Sequence, residues 1–349
     1  MCLADAVRSS MDFAADPAAP PLRRMSMYFA HVHKAAGGSV CQLARFNAYT
    51  ANYARNCELP TEHERRTLSQ GNLSMQCSLL RKLHRRMRTF VANEHSLPDS
   101  MYWSSDYVYA TVVREPMRRY LSNYGHVYNL LRAGKRASEY DAFVTIKRAY
   151  PNRREPPPLS AFMSLDGSSG FKDNFLTRHF AGASSMAKAE GGLSETDLKR
   201  AMCRLLRFDL VVLLEPGEFP EVLRDALGWW LKSARLVPCQ NCTSLQLSLT
   251  GHNSSSQLSN LKSVDADTLA LLRNKSHFDT RLYHFAGKVM EAARRAKLAG
   301  QPWPLPRWRV TTANSSSEPL GDDARALRVD DAECDSVLQQ DGHRLRECM

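Results

Sequence analysis

The chain has 349 residues, of which 43% are hydrophobic and 24% charged, proportions that are ordinary for a globular protein. This composition excludes a collagen-like or largely disordered chain, and nine cysteines are too few for a small disulfide-stapled scaffold. Lys and Arg outnumber Asp and Glu by 47 to 36, and the net charge of +11 favours polyanionic partners. No apolar run approaches the ~20 residues of a membrane helix, and the N-terminus has no continuous apolar signal region.

The chain is predicted to have three parts. Residues 1–25, rich in Ala, Pro and Asp, are typical of a leader or linker, residues 26–298 are predicted to form one domain, and residues 299–349 form a poorly packed tail. Residues 151–172 are expected to form a surface excursion within that domain. N-glycosylation sequons, which favour a secretory lumen, begin at Asn72, Asn241, Asn253, Asn274 and Asn314.

Strand and helix patterns alternate through the central part. Short apolar runs predict strands at Tyr28–His33, Thr89–Ala92, Tyr107–Val113 and Asp209–Leu214. Amphipathic helices are predicted around residues 39–44, 116–131, 174–180, 194–205, 219–231 and 282–293. This alternation indicates an α/β fold in which helices flank a central, mainly parallel sheet. The isolated pair Cys239 and Cys242 is either a redox pair, half of a metal site, or two structural or incidental cysteines. The last is favoured, because no helix-opening redox context accompanies the pair.

The first candidate site is the loop Lys34-Ala35-Ala36-Gly37-Gly38-Ser39, between a predicted strand and a predicted helix. Such a turn presents backbone N–H groups and the positive end of a helix dipole to an anion. We expect Gly37 and Gly38 to let the backbone approach a phosphate, with Lys34 supplying charge and Ser39 a hydroxyl. The order of residues differs from a Walker A loop, in which Lys follows the last Gly. The alternative is a tight turn capped by Ser39.

The second candidate site follows the predicted strand Tyr107–Val113. Arg114 lies at the carboxyl end of this strand, where open α/β sheets bind their ligands, and Ser122 lies two turns into the next helix. A guanidinium and a hydroxyl in one crevice can both bind phosphate. The neighbouring Arg118 and Arg119 are interpreted as a solvated helix face.

Two phosphate sites indicate a nucleotide with phosphates at both ends of its ribose. The segments YFAHVHKAAGGSV and TVVREPMRRYLSNYGHV resemble the two phosphate loops of sulfotransferases that use 3′-phosphoadenosine 5′-phosphosulfate (PAPS). The resemblance spans residues of about 27 to 295 and is greatest to the Golgi carbohydrate group that includes heparan sulfate 6-O-sulfotransferases. It implies a P-loop-like three-layer fold, with Ala35, Ala36 and the other loop residues at the donor phosphosulfate. Relatives often have a threonine in place of Ala35, so one loop hydroxyl is absent here.

The resemblance also implies catalytic roles. Lys34 neutralises the charge that grows on the leaving oxygen, and His95 takes the proton of the acceptor hydroxyl, with Glu94 as the alternative base. Without the resemblance, His95 is a surface loop histidine. Arg178 is a candidate contact for the 3′-phosphate or for an acidic acceptor.

The implied reaction transfers a sulfuryl group to an anionic or neutral glycan without a metal or nucleic acid. A protein tyrosine or a small molecule remains an alternative acceptor, and a non-enzymatic polyanion-binding protein or a nucleotide kinase remains an alternative function. The resemblance implies the Golgi lumen or membrane, with membrane association only if an N-terminal anchor is missing from this chain. The basic run Arg81–Arg88 is either a polysaccharide contact or a solvated helix face.

Overall fold

The computed structural model describes residues 26–47, 49–50, 57–104, 106–132, 158–163, 172–214, 222–223, 227 and 264–298. The predicted leader, the predicted tail and Cys239-x-x-Cys242 lie outside the described residues. Most of the predicted excursion at 151–172 and most of the predicted helix at 219–231 also lie outside them.

The described part of the chain contains a parallel sheet of four strands in the order β2-β1-β3-β4. The strands are β1 (Ser26–Ala30), β2 (Phe90–Asn93), β3 (Tyr107–Val113) and β4 (Leu210–Leu213). Every residue of all four strands is buried, as expected when helices cover both faces of a parallel sheet. This arrangement confirms the predicted α/β fold.

The helices among the described residues fall between and around these strands. They are α1 (Gly37–Phe46), α2 (Glu62–Gln70), α3 (Leu73–Arg85), α4 (Pro116–Arg132), α5 (Leu159–Met163), α6 (Phe175–Ala181), α7 (Ala183–Ala187), α8 (Glu195–Leu206), α9 (Ala266–Lys275) and α10 (His277–Leu298). None of the helices described is long and apolar enough to cross a bilayer.

The sequence pattern located most of these elements correctly. The prediction for β3 is confirmed to the residue, and Ser194 caps α8 in a capping box with Asp197. The first strand begins at Ser26 and ends at Ala30, rather than running from Tyr28 to His33, because the chain turns toward α1. Helices α2, α3, α5, α7 and α9 were not predicted.

Described segments that follow residue 172 belong to the same hydrophobic core as the sheet. Leu198 of α8 and Leu282 of α10 are buried in the cluster that contains the strands. Helices α6 and α10 also cap one another: the buried carboxylate of Asp279 accepts hydrogen bonds from the N–H groups of Leu176 and Thr177, at 2.9 and 2.8 Å. The core therefore extends into α10.

Candidate active site

The loop after β1 has a strained backbone that differs in detail from the expectation. The left-handed positions are Lys34 and Ala36, with φ of 66° and 62°, whereas Gly37 begins α1. A Cβ on Gly37 would lie 1.7 Å from Nε2 of His31, so the ring of His31 requires this glycine. Ser39 lies within the first turn of α1 and is not its cap. The His31 contact is thus a second reason for a glycine at Gly37, beside the backbone approach to a phosphate that the sequence predicts.

The amino end of α1 presents the features of an anion site. Its N-cap residue is Ala36, whose side chain makes no capping hydrogen bond. The first backbone N–H groups of the helix therefore receive no acceptor from the N-cap side chain. The N–H of Ala35 donates to the carbonyl of Val32 at 3.0 Å and is occupied within the loop. The backbone N–H groups that this turn could offer to an anion therefore begin after Ala35, at the start of α1.

Lys34 lies in this loop beside Arg114. The pKa of Lys34 is lowered to about 8, chiefly by burial; the charge of Glu94 opposes this shift and the charge of Arg114 adds to it. Nη1 of Arg114 donates to the carbonyl oxygen of Lys34 at 3.3 Å. Because β1 and β3 are neighbours in the sheet, this hydrogen bond joins the loops that follow them.

The polar residues of α4 differ in their exposure to solvent. Ser122 is buried two turns into the helix. Arg118 is exposed, but Arg119 is fully buried, with its guanidinium 4.4 Å from the ring centroid of Tyr120 and 4.3 Å from that of Phe175. The interpretation of Arg119 as part of a solvated face is therefore wrong, because these aromatic rings hold it in the core.

The carboxylate of Glu94, just after β2, lies close to the rings of two histidines. Oε1 of Glu94 lies 2.6 Å from Nδ1 of His33 and 3.8 Å from Nε2 of His31. Nε2 of His33 lies 3.1 Å from Oδ1 of Asn123 on α4. His31 and His33 both reach this carboxylate from the segment that follows β1.

The electrostatics of this group make Glu94 a weak base. Burial by itself raises the pKa of Glu94, but the charges of His31 and His33 and the hydrogen bond from His33 hold that pKa below its usual range. A carboxylate with a lowered pKa has little affinity for the proton of a hydroxyl group.

His95 follows directly and is better placed to accept a proton. Its side chain is 36% exposed and its Nε2 lies 3.8 Å from Oε2 of Glu62. Burial lowers the pKa of His95, while Glu62 opposes this shift, so the imidazole is neutral near pH 7. A neutral, accessible imidazole is the form that a general base requires.

Arg178 lies in the protein core, with its hydrogen-bond donors paired to protein oxygens. It is fully buried in α6, and its five N–H donors all bind protein oxygens at 2.6 to 2.9 Å. One of these bonds is an ion pair of 2.6 Å with Asp173. No donor of Arg178 is left for a phosphate, so we do not include this residue in the donor site.

Replacing Arg178 is expected to affect stability and not donor binding. Arg178→Ala should lower the free energy of unfolding by about 3–5 kcal/mol, because Asp173 and several carbonyls lose a buried partner. The measurement is chemical denaturation beside the exposed control Arg118→Ala. A loss of nucleotide affinity in folded Arg178→Ala, with stability unchanged, would contradict this assignment.

Two residues at this edge were missed in the sequence. Asn123 could have been found, because it follows Ser122 on the same predicted helix. No sequence pattern indicated Glu58. Its backbone pairs with Ala92 of β2, and this pairing brings its carboxylate within 4.8 Å of that of Glu94.

Comparison with known proteins adds one finding. Residues 22–190 match the model of the sulfotransferase family. The match supports a sulfotransferase family and, with it, sulfuryl transfer in general. It includes β1, β2 and β3 with the loops that follow them, while β4 and α10 lie beyond it. A search of curated proteins found no match.

Proposed function

We propose that this protein transfers the sulfuryl group of PAPS to a hydroxyl group of a glycan. The observation that carries the proposal is the hydrogen bond from Arg114 to the carbonyl of Lys34. It joins two loops at the carboxyl edge of a parallel sheet, which is the edge where α/β folds bind nucleotides. The sulfotransferase family match covers both loops.

The donor is proposed to lie across these two loops. The phosphosulfate binds Lys34 and the N–H groups at the start of α1, where a cation and the helix dipole both favour an anion. The 3′-phosphate binds the Arg114 guanidinium and the Ser122 hydroxyl, since a guanidinium can donate two parallel hydrogen bonds to a phosphate. Six residues of the predicted donor set remain in this assignment: Lys34, Gly37, Gly38, Ser39, Arg114 and Ser122.

The transfer is an in-line displacement at sulfur. The acceptor oxygen forms a bond to sulfur while the bond from sulfur to the bridging oxygen breaks, and adenosine 3′,5′-bisphosphate leaves with the electron pair. Lys34 neutralises the charge on the departing oxygen. Nε2 or Nδ1 of His95 takes the proton of the attacking hydroxyl group.

The proposed location is the lumen of the Golgi. The described disulfide between Cys41 and Cys57 fits an oxidising compartment, and the sequon residues Asn72 and Asn274 are both exposed. The net charge of +11 fits an anionic glycan as acceptor. A neutral glycan, a protein tyrosine or a small molecule are the other acceptors to screen.

The experiment that tests the donor site is calorimetric titration with adenosine 3′,5′-bisphosphate, with ATP as the comparison ligand. We expect micromolar binding of the bisphosphate that ATP does not match. If folded protein binds neither nucleotide, the enzymatic proposal fails and a polyanion-binding function takes its place.

Bisphosphate affinity is expected to fall as pH rises through about 8. The pKa of Lys34 lies near that value, and the neutral amine that forms above it no longer attracts the phosphate. The measurement is bisphosphate titration from pH 7 to 9.5. Lys34→Arg provides the control, because arginine stays charged across this range and its affinity should remain nearly constant. An equal fall in both proteins would show that Lys34 is not the titrating group.

A further inference from the structure

Three potential metal ligands converge beside the donor loop. They are His31 after β1, Glu94 after β2, and Glu58, whose backbone pairs with Ala92. One nitrogen or oxygen atom from each residue lies within 4.8 Å of the others. Each comes from a different segment of the chain, and all three segments are anchored beside neighbouring parallel strands.

His31 is buried without the contacts that a buried imidazole needs. The residue is 2% exposed, and its Nδ1 has no hydrogen-bond partner among the described residues. Its Nε2 lies 3.8 Å from Oε1 of Glu94, which is too long for a hydrogen bond. Two metal–ligand bonds of ~2.1 Å each can span that separation.

The two carboxylates provide a separate reason for a cation. One carboxylate oxygen of Glu58 and one of Glu94 lie within 4.8 Å of each other. Two ionised carboxylates at this separation repel one another, and a proton or a cation between them relieves that repulsion. A divalent cation satisfies both carboxylates at once.

We propose that His31, Glu58 and Glu94 bind a divalent transition-metal ion of the Zn²⁺ class. One imidazole with two carboxylates suits such an ion, whereas Mg²⁺ prefers oxygen ligands and retains its water. This site goes beyond the proposed transfer reaction, none of whose steps is assigned to a metal. Oε1 of Glu94 also forms a hydrogen bond with Nδ1 of His33, so a metal ion would compete with His33 for this oxygen.

The test is calorimetric titration of the chelator-treated, full-length protein with zinc chloride and, separately, magnesium chloride. We expect one equivalent of Zn²⁺ to bind and Mg²⁺ to bind far more weakly. Glu94→Gln and His31→Gln should each weaken Zn²⁺ binding at least ~10-fold. His33→Gln should bind Zn²⁺ at least as tightly as the wild type, because the competing hydrogen bond is reduced.

Matched controls are the exposed Glu291→Gln on α10 and His84→Gln on α3, which should bind Zn²⁺ like the wild type. Thermal unfolding in chelator establishes that each variant is folded, and Glu94→Gln decides the result if His31→Gln does not fold. The proposal is overturned if folded wild type binds no Zn²⁺, or if Glu94→Gln binds it equally well. Weaker binding by His33→Gln would also overturn the assigned ligand set. No donor nucleotide is present, so the result is independent of the proposed transfer.

Discussion

His95→Ala is expected to lower the turnover number about 10³-fold while leaving bisphosphate affinity within about twofold. Loss of a positioned general base typically costs ~10²–10⁴ in rate, and His95 does not belong to the loops that hold the donor. The measurement is sulfuryl transfer at saturating donor and acceptor, with bisphosphate affinity determined separately.

The matched control for this variant is His63→Ala. His63 is an exposed histidine on α2, next to the Glu62 that contacts His95. Its replacement should leave turnover nearly unchanged. If His95→Ala keeps full turnover while Glu94→Gln loses it, the base is Glu94 and the low basicity inferred for that carboxylate is wrong.

Arg114→Ala is expected to weaken binding of adenosine 3′,5′-bisphosphate about 100-fold. Hydrogen bonds to charged groups contribute ~1.5–3 kcal/mol, and each 1.4 kcal/mol is a factor of ten in affinity. The variant also loses the bond to the Lys34 carbonyl, so the loop after β1 should be held less firmly. Calorimetry with the bisphosphate measures the change.

Arg118→Ala is the control that separates a specific contact from general charge. Arg118 is exposed in the first turn of α4, four residues after Arg114. The Arg118→Ala variant removes the same unit of positive charge as Arg114→Ala. Its affinity should fall less than about threefold, because exposed charges are screened by salt and solvent. Equal losses in the two variants would indicate non-specific attraction and not a built phosphate site.

Elements with strong local patterns could be predicted from the sequence. The β-branched and aromatic run Tyr107–Val113 forms β3 without a change of boundary, and Ser194 begins α8. The loop after β1 was located because an apolar run changes there to helical spacing. Helix α2 could also have been found, since Thr61 and Glu64 form a capping box before it.

The remaining features depend on contacts between distant residues. Arg178 and Arg119 look like phosphate or solvent contacts in a linear pattern, and only tertiary packing shows that carbonyls and aromatic rings enclose them. Gly37 looks like a residue chosen for backbone freedom, yet the ring of His31 is what requires it. The periodicity of apolar residues in a sequence does not indicate which distant residues make contact.

The most direct test of the proposed function is transfer of labelled sulfur from PAPS to a panel of desulfated glycans by purified protein, beside Lys34→Ala. The account predicts label in at least one glycan, with the rate lowered about 100-fold or more in Lys34→Ala, since this lysine stabilises the leaving oxygen. Folded, bisphosphate-binding protein that labels no glycan but labels a protein tyrosine or a small phenol would contradict the glycan assignment. Equal labelling by wild type and Lys34→Ala would contradict the mechanism.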